Sequence, residues 1–445
     1  MDITTSYDAR ILSVIEGKDN KPTMRKDILE ETASLCREIL VFCMLRICES
    51  WDDISKCKGK DRKNFTDHLF HSTETNMAKY PEFDAKYPKL PSYTRRCIVA
   101  HALGKVSSWK SNYQNWLDNG KQGNPPKLGM DERYQPTFYK EDRDVEGDGN
   151  TIRLRMFVNG DWSFVTVVLK PSDMRYIRKL MKTRRMLSPS IKKKRGKYYV
   201  SFSFEEKVDL VDKQPLDYTI LAVDLGINNA ATMCVMQSDG TILGRKIFSL
   251  PCEKDRLLHT LNKVKSAQEK GYTDRRVWRK VHYINEDISR KTAAAIMDMA
   301  VLYSVDCIVF EHLDTSGKKK GGKKQMLHHW KCQEVQKIVE LRAHRLGMRI
   351  SRICAWNTSR LAYDGSGQVS RGEYYIKHKK YSNYSICVFQ NGKQYHCDLN
   401  AAYNIGARYF LRAYQNAYGD IEISTPQRTL STLWEYVGNL QQKAA

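Results

Sequence analysis

The chain has 445 residues, more than one hydrophobic core comfortably fills, so two to four structural units are expected. Lys and Arg outnumber Asp and Glu by 74 to 51, a formal charge of +23 that repels itself unless a polyanion neutralises it. The longest apolar run, Ile39 to Leu45, stops at Arg46 and is far too short to cross a bilayer, which excludes a membrane span and leaves nucleic acid as the expected polyanion.

The opening MDITTSYDAR has neither a basic nor an apolar signal region, so a cytoplasmic protein without a membrane partner is expected. The 12 cysteines are scattered, several in apolar runs (Cys43, Cys234, Cys307), and no CxxC occurs; buried free thiols are the reading. A short β-like stretch at Arg10–Val14 precedes a helix over 27–50, whose apolar positions recur with helical spacing. A second helix is predicted from an N-cap at Thr94 to Leu117, and the paired prolines of GNPPKLG (123–129) close this helical unit.

From Tyr134 to Glu206 the period changes to two: TIRLRMFV, WSFVTVVLK and YYVSFSFE read as strands of a small antiparallel sheet or barrel. Between them lie two basic segments. One carries Arg175, Arg178, Lys179, Lys182, Arg184 and Arg185; the other carries Lys192, Lys193, Lys194, Arg195 and Lys197. A solvated hairpin and a phosphate-binding surface are both open readings of these charges.

Residues 218–412 alternate strand and helix signals, which predicts an α/β domain. TILAVDLGI is a buried strand and CVMQSDGTILGRKIF a hairpin turning at Asp239 and Gly240. One long charged helical stretch is predicted from Glu253 to about Tyr303, then the strand CIVFEHL, a helix over 327–346 and the strand MRISRI. A last amphipathic helix falls around 430–440.

Three carboxylates stand out. Asp224 lies inside the apolar strand AVDLGI and Glu311 at the end of VDCIVFEHL, where an ionised side chain is costly unless it is paired or metal-bound. Asp398 opens the helix in HCDLNAAYNIGARYF, whose Ala401, Ala402, Gly406 and Ala407 permit close packing on a sheet. Loop caps or arginine partners for the first two, and an N-cap for the third, are the ordinary alternatives. Converging at one sheet edge, the three would hold two Mg²⁺ or Mn²⁺ ions about 3.5–4 Å apart, suited to phosphodiester hydrolysis.

At these residues the chain resembles the RuvC-domain nucleases of transposons and CRISPR systems, the TnpB family and the compact type V effectors. DLGINNAA resembles their first motif, IVFEHLD the second and CDLNAAYNIGARYF the third, in the same order. The resemblance covers roughly residues 218–412, and the amino-terminal half only in layout. It implies a multidomain α+β protein: a β-barrel wedge domain (1–20 and 130–215), a helical recognition lobe (21–129), an RNase H-like nuclease domain (216–355 and 396–412) and a C-terminal tail (413–445). Asp224, Glu311 and Asp398 would be catalytic metal ligands, with a guide RNA, double-stranded target DNA and its displaced single strand as partners. The family carries a four-cysteine zinc ribbon where residues 356–395 lie. Here Ala362 and Gly365 occupy the first cysteine pair, and Cys387 keeps only Gln390 as its partner. A degenerate ribbon without zinc is therefore expected, with neither Cys354 nor Cys397 assigned as a substitute. Arg360 and Arg371 would steer substrate phosphate, as would Lys318, Lys319, Lys320, Lys323 and Lys324 in GKKKGGKK, where the family has a lid. The implied activity is RNA-guided cutting of both DNA strands by one site. A nuclease-inactive guided repressor and a guide-free resolvase or transposase are the alternatives, and transposon-encoded and CRISPR-associated origins both stay open.

Overall fold

The computed structural model describes residues 1–16, 24–130, 134–146, 149–313, 331–376, 379–419 and 428–444. The chain forms two compact units, residues 2–207 and residues 208–445 with Met1.

The first unit combines a bent antiparallel sheet with a helical cluster. Its elements are β1 (Asp2–Ile15), α1 (Lys26–Glu49), α2 (Trp51–Lys56), α3 (Gly59–His68), α4 (Glu82–Lys86), α5 (Ser92–Asp118), β2 (Arg143–Asp144), β3 (Thr151–Val158), β4 (Asp161–Leu169), α6 (Pro171–Met181), β5 (Arg185–Met186), β6 (Ser190–Lys194) and β7 (Lys197–Lys207). The strand order is β2-β3-β4-β1-β7-β5, with β6 also on β7. β1 serves two partners: residues 2–10 pair with β7, and residues 11–15 pair with β4, with a register shift between Ile11 and Ser13. That irregularity lets one strand turn the sheet into a half-barrel. Alternation in β3 and β4 turns Leu154, Met156, Val165 and Val167 inward onto Phe202 and Phe204, and α6 covers them with Met174, Ile177 and Leu180.

α1 reaches both parts of this unit: Ile28 and Leu29 pack into the barrel, while Cys36, Ile39, Leu40, Cys43 and Ile47 meet Ile98, Ala102 and Val106 of α5. Thr94 is not the N-cap of α5, which starts after Pro91. Its hydroxyl instead donates to the buried Asp142 carboxylate at 2.7 Å, so a tertiary partner has claimed the side chain expected to cap.

The second unit is a layered α/β body. It contains β8 (Ile220–Asp224), β9 (Ala231–Met236), β10 (Ile242–Phe248), α7 (Pro251–Glu269), α8 (Arg275–Leu302), β11 (Cys307–His312), α9 (Cys332–Arg345), β12 (Arg349–Cys354), β13 (Ser370–Ile376), β14 (Lys379–Val388), β15 (Gln394–His396), α10 (Cys397–Tyr418) and α11 (Leu430–Ala444). The main sheet runs β10-β9-β8-β11-β12. β8, β9 and β10 are antiparallel neighbours, whereas β8, β11 and β12 are parallel. Strand alternation sends Leu221, Val223, Ile308 and Phe310 to the face covered by α8 and α9. Ala222, Cys234, Val309 and Ile353 face α10 and α11. The single helix expected over 253–303 is two, because the chain turns at Gly271 (φ 78°) and restarts where Asp274 accepts hydrogen bonds from the amides of Arg276 and Val277. A separate antiparallel sheet, β13-β14-β15, has Ala362, Cys387, Phe389 and Cys397 as its apolar centre.

Candidate active site

Parity along the strands places two of the carboxylates. Asp224 follows Ala222 on β8, and Glu311 follows Val309 on β11, so both belong to the sheet face that α10 covers. The strands are parallel with Val223 opposite Phe310, which makes Asp224 and Glu311 neighbours at the carboxyl ends of adjacent strands. α10 brings the third. Gly406 lets this helix lie close: a methyl there would sit 2.9 Å from Met236 Sδ and 3.4 Å from Ala222 Cβ.

Asp398 is not the N-cap of α10. His396 holds that position, its Nδ1 accepting from the Asp398 amide at 3.3 Å. The Asp398 carboxylate is thus available to the sheet edge, and Asn229 Nδ2, from the loop after β8, donates to it at 2.8 Å. Thr358 Oγ1 donates to Glu311, and Gln336 of α9 donates to the Glu311 carbonyl at 3.1 Å. Burial, then the charges of Glu311 and Asp398, push the Asp224 carboxyl well above its ordinary range, while Arg371 opposes them. Burial also raises Glu311, with the Thr358 hydrogen bond and Arg408 pulling the other way. Asp224 therefore feels both other carboxylates, but among the described residues no three His, Cys, Asp or Glu side chains are already gathered as a set that could hold a metal ion.

Sequence reasoning missed the supporting shell. Lys254, in the first turn of α7, donates through Nζ to the carbonyls of Ile227 (2.6 Å) and Asn228, fastening the loop that presents Asn229. Its stem lines an apolar cavity of about 120 Å³ with Leu225, Leu257, Leu261, Ile288 and Val335. Burial lowers the ammonium to about 8, against the pull of Asp398. Asn229 sits in DLGINNAA and Thr358 in NTSR, so both signals lay beside residues the sequence had already singled out.

The cationic residues divide. Arg371 and Arg360 are exposed, and Arg371 donates to the Ser359 carbonyl. In the first unit, Lys192 is paired with Asp8 and Lys193 with Glu30 (2.7 Å), so these two are committed to partners within the fold; Lys194 and Arg195 are exposed in the β6–β7 turn. Arg178 donates to the Val145 carbonyl, and Arg184 and Arg185 pair with Glu206 and Glu205, each at 3.1 Å. Lys318, Lys319, Lys320, Lys323 and Lys324 lie outside the described residues. Cys387 and Cys397 are buried, Cys387 Sγ donating to the Tyr395 carbonyl at 3.4 Å, and Cys354 is exposed.

A model of the Aq_aa04 family matches residues 15–158, within the first unit. No curated protein sequence matches the chain. Among solved structures, a Cas12f1 complex with single-guide RNA and target DNA is similar over 91% of this chain and 98% of that one, at 12% identity and a TM-score of 0.58. The mini-RNA-guided endonuclease CRISPR-Cas_phi3 is similar over 93% of each chain, at 12% identity and a TM-score of 0.50. At such identities the likeness is one of fold, and the fold is that of the compact type V CRISPR effectors. No described helix is long and apolar enough to cross a membrane.

Proposed function

We propose that this protein is an RNA-guided DNA endonuclease whose second unit is an RNase H-like (RuvC-type) nuclease domain with Asp224, Glu311 and Asp398 as its metal ligands. The observation carrying this reading is the meeting of Asp224 and Glu311 at the ends of adjacent parallel strands, under a helix that opens with Asp398. The donor set fits Mg²⁺ or Mn²⁺: carboxylate oxygens suit hard cations, and ionising Asp224 beside two like charges is unfavourable without one. Bound there, two such ions would activate the attacking water and stabilise the leaving oxygen of a phosphodiester. Asn229 and Thr358 would orient Asp398 and Glu311, and Arg371 and Arg360 would draw phosphate towards them. The half-barrel would act as wedge and the helical cluster as recognition lobe, gripping guide RNA and target duplex by shape and charge, with Lys194 and Arg195 on that surface. With one carboxylate site, the displaced and target strands would be cut in turn. Residues 356–395 would form a ribbon-like insertion with an apolar centre where relatives hold zinc.

The test is to purify the protein with its native locus and sequence the co-purified RNA, then to assay cutting of a matching duplex with and without Asp224→Ala. A discrete guide, Mg²⁺-dependent cleavage, and loss of cutting with retained target binding in the variant are expected. Retained cutting by Asp224→Ala would sink the site assignment, and absence of a specific RNA would leave a guide-free enzyme. A guided DNA-binding protein that does not cut is the second reading, favoured by one observation: the carboxylates are not already gathered as a metal-holding set. Bound guide and target with no cleavage at any Mg²⁺ or Mn²⁺ concentration would establish it.

A further inference from the structure

Residues 354–363 join β12 to the small sheet as an irregular run, and one face of α10 clips it along its length. Arg408 donates to the carbonyls of Cys354 (2.9 Å) and Trp356 (2.7 Å). Asn404 donates to the carbonyls of Thr358 and Leu361, both at 2.9 Å. Asn400 donates to Leu361 and accepts from the Tyr363 amide, each at 2.8 Å. The turn itself is tight, with Asn357 at φ 60° and the Arg360 amide on the Asn357 carbonyl at 3.2 Å.

From this restrained backbone the Trp356 indole stands 75% exposed. One exposed aromatic is by itself unremarked on a protein surface. Here three further observations bear on it. Thr358, two residues on, holds Glu311. Arg360, in the same turn, is exposed, and Arg371 hydrogen-bonds the turn at Ser359 while its charge reaches Asp224. An exposed aromatic and the exposed Arg360 thus project from one restrained turn, which Arg371 also binds and which reaches the carboxylates through Thr358. Surfaces that take single-stranded nucleic acid combine these two ingredients: bases stack on aromatic rings while cations track the phosphates.

We propose that Trp356 is a base-stacking platform that takes an unpaired nucleobase of the strand entering the carboxylate site and thereby sets which phosphate is presented to it. The role of that strand as substrate rests on the nuclease reading above; the stacking itself does not.

The experiment is a fluorescence-anisotropy titration of the full chain, in EDTA, with a labelled oligothymidine and with an abasic oligonucleotide of the same length. Trp356→Ala is expected to weaken oligothymidine binding roughly 10-fold, within the range that base–aromatic stacking supplies, and to leave the abasic strand unchanged. Trp356→Phe is expected to keep most of the affinity. Equal oligothymidine binding by Trp356→Ala and the parent overturns the proposal, and so does equal weakening towards both strands, which would mean a general disturbance of the surface. Because the indole is exposed, the variant is expected to melt with the parent; a lower melting temperature together with loss of abasic binding counts against stacking. Neither arm needs metal or cleavage, so a chain that stacks bases on Trp356 yet never cuts would reject the nuclease reading and keep this one.

Discussion

Burial of Asp224 beside Glu311 and Asp398 has a sign that can be measured. Its raised pKa means the folded chain holds a proton that the unfolded chain releases at lower pH, so the associated stability is present at acid pH and is lost as pH rises from the ordinary carboxylate range through the folded value. In EDTA at neutral pH, Asp224→Asn is expected to raise the melting temperature of the second unit by about 2–4 °C, the shift of roughly 1 kcal/mol in a unit of this size. Differential scanning fluorimetry checks this, and a fall in melting temperature would place the carboxylate in a compensated environment instead. Asn229 acts one step away. Removing its hydrogen bond to Asp398 with Asn229→Ala is expected to slow cleavage roughly 10- to 100-fold at fixed Mg²⁺, the range for a bond to a charged acceptor. Lys254→Met keeps the lining of the apolar cavity but frees the loop from its ammonium, so a higher Mg²⁺ requirement with little change in melting is expected from a metal titration of both variants.

At the scale of the element, α10 does more than carry Asp398. Asn400, Asn404, Arg408 and Arg412 recur every four residues and so share one face. The first three hold residues 354–363, and Arg412 reaches the Ser351 hydroxyl at 2.7 Å. Asn404 is wholly buried, and its carbonyl also accepts from the Leu430 amide at 3.3 Å. Asn404→Ala strands several buried backbone groups at once and is expected to cost about 2 kcal/mol or more, read as a melting temperature lower by roughly 4–8 °C. An unchanged melting curve would show that water replaces the amide. In the sequence the stripe is NAAYNIGAR, where the small residues signal close packing while the polar members between them carry no apolar period. What the sequence did disclose follows the strength of its local signals. The strands carrying Asp224 and Glu311 are continuous apolar runs buried on both faces, and both fall where those runs put them. The break between α7 and α8 is hard to see in the sequence because the turn around Gly271 takes only residues 270–274 between two charged helical stretches. Thr94 departs from the expected capping role because its partner, Asp142, lies 48 residues away in sequence. Lys254 likewise acts through loop carbonyls distant in sequence, which no local pattern announces.

Across the whole chain, 74 basic residues face 51 acidic ones, and internal pairs such as Lys192 with Asp8 and Lys193 with Glu30 cancel one for one, so the surplus of +23 survives them. What is left predicts nucleic-acid affinity that falls linearly with salt on logarithmic axes, with the slope counting phosphates engaged. Reversing both exposed charges at the β6–β7 turn, Lys194→Glu with Arg195→Glu, is expected to flatten that slope for guide RNA, measured by filter binding; an unaltered slope would remove the turn from the RNA surface. The double partnership of β1 has a consequence of another kind, for how the chain is made. Residues 2–10 find their strand only in β7, so that Ser6 meets Ser203. During synthesis at ~5–20 residues per second, this segment waits roughly ten to forty seconds with its hydrogen-bonding edge unsatisfied. The ribosome-bound half-made protein is therefore an open edge seeking any strand, and its recovery in living cells will depend on what shields that edge until β7 emerges.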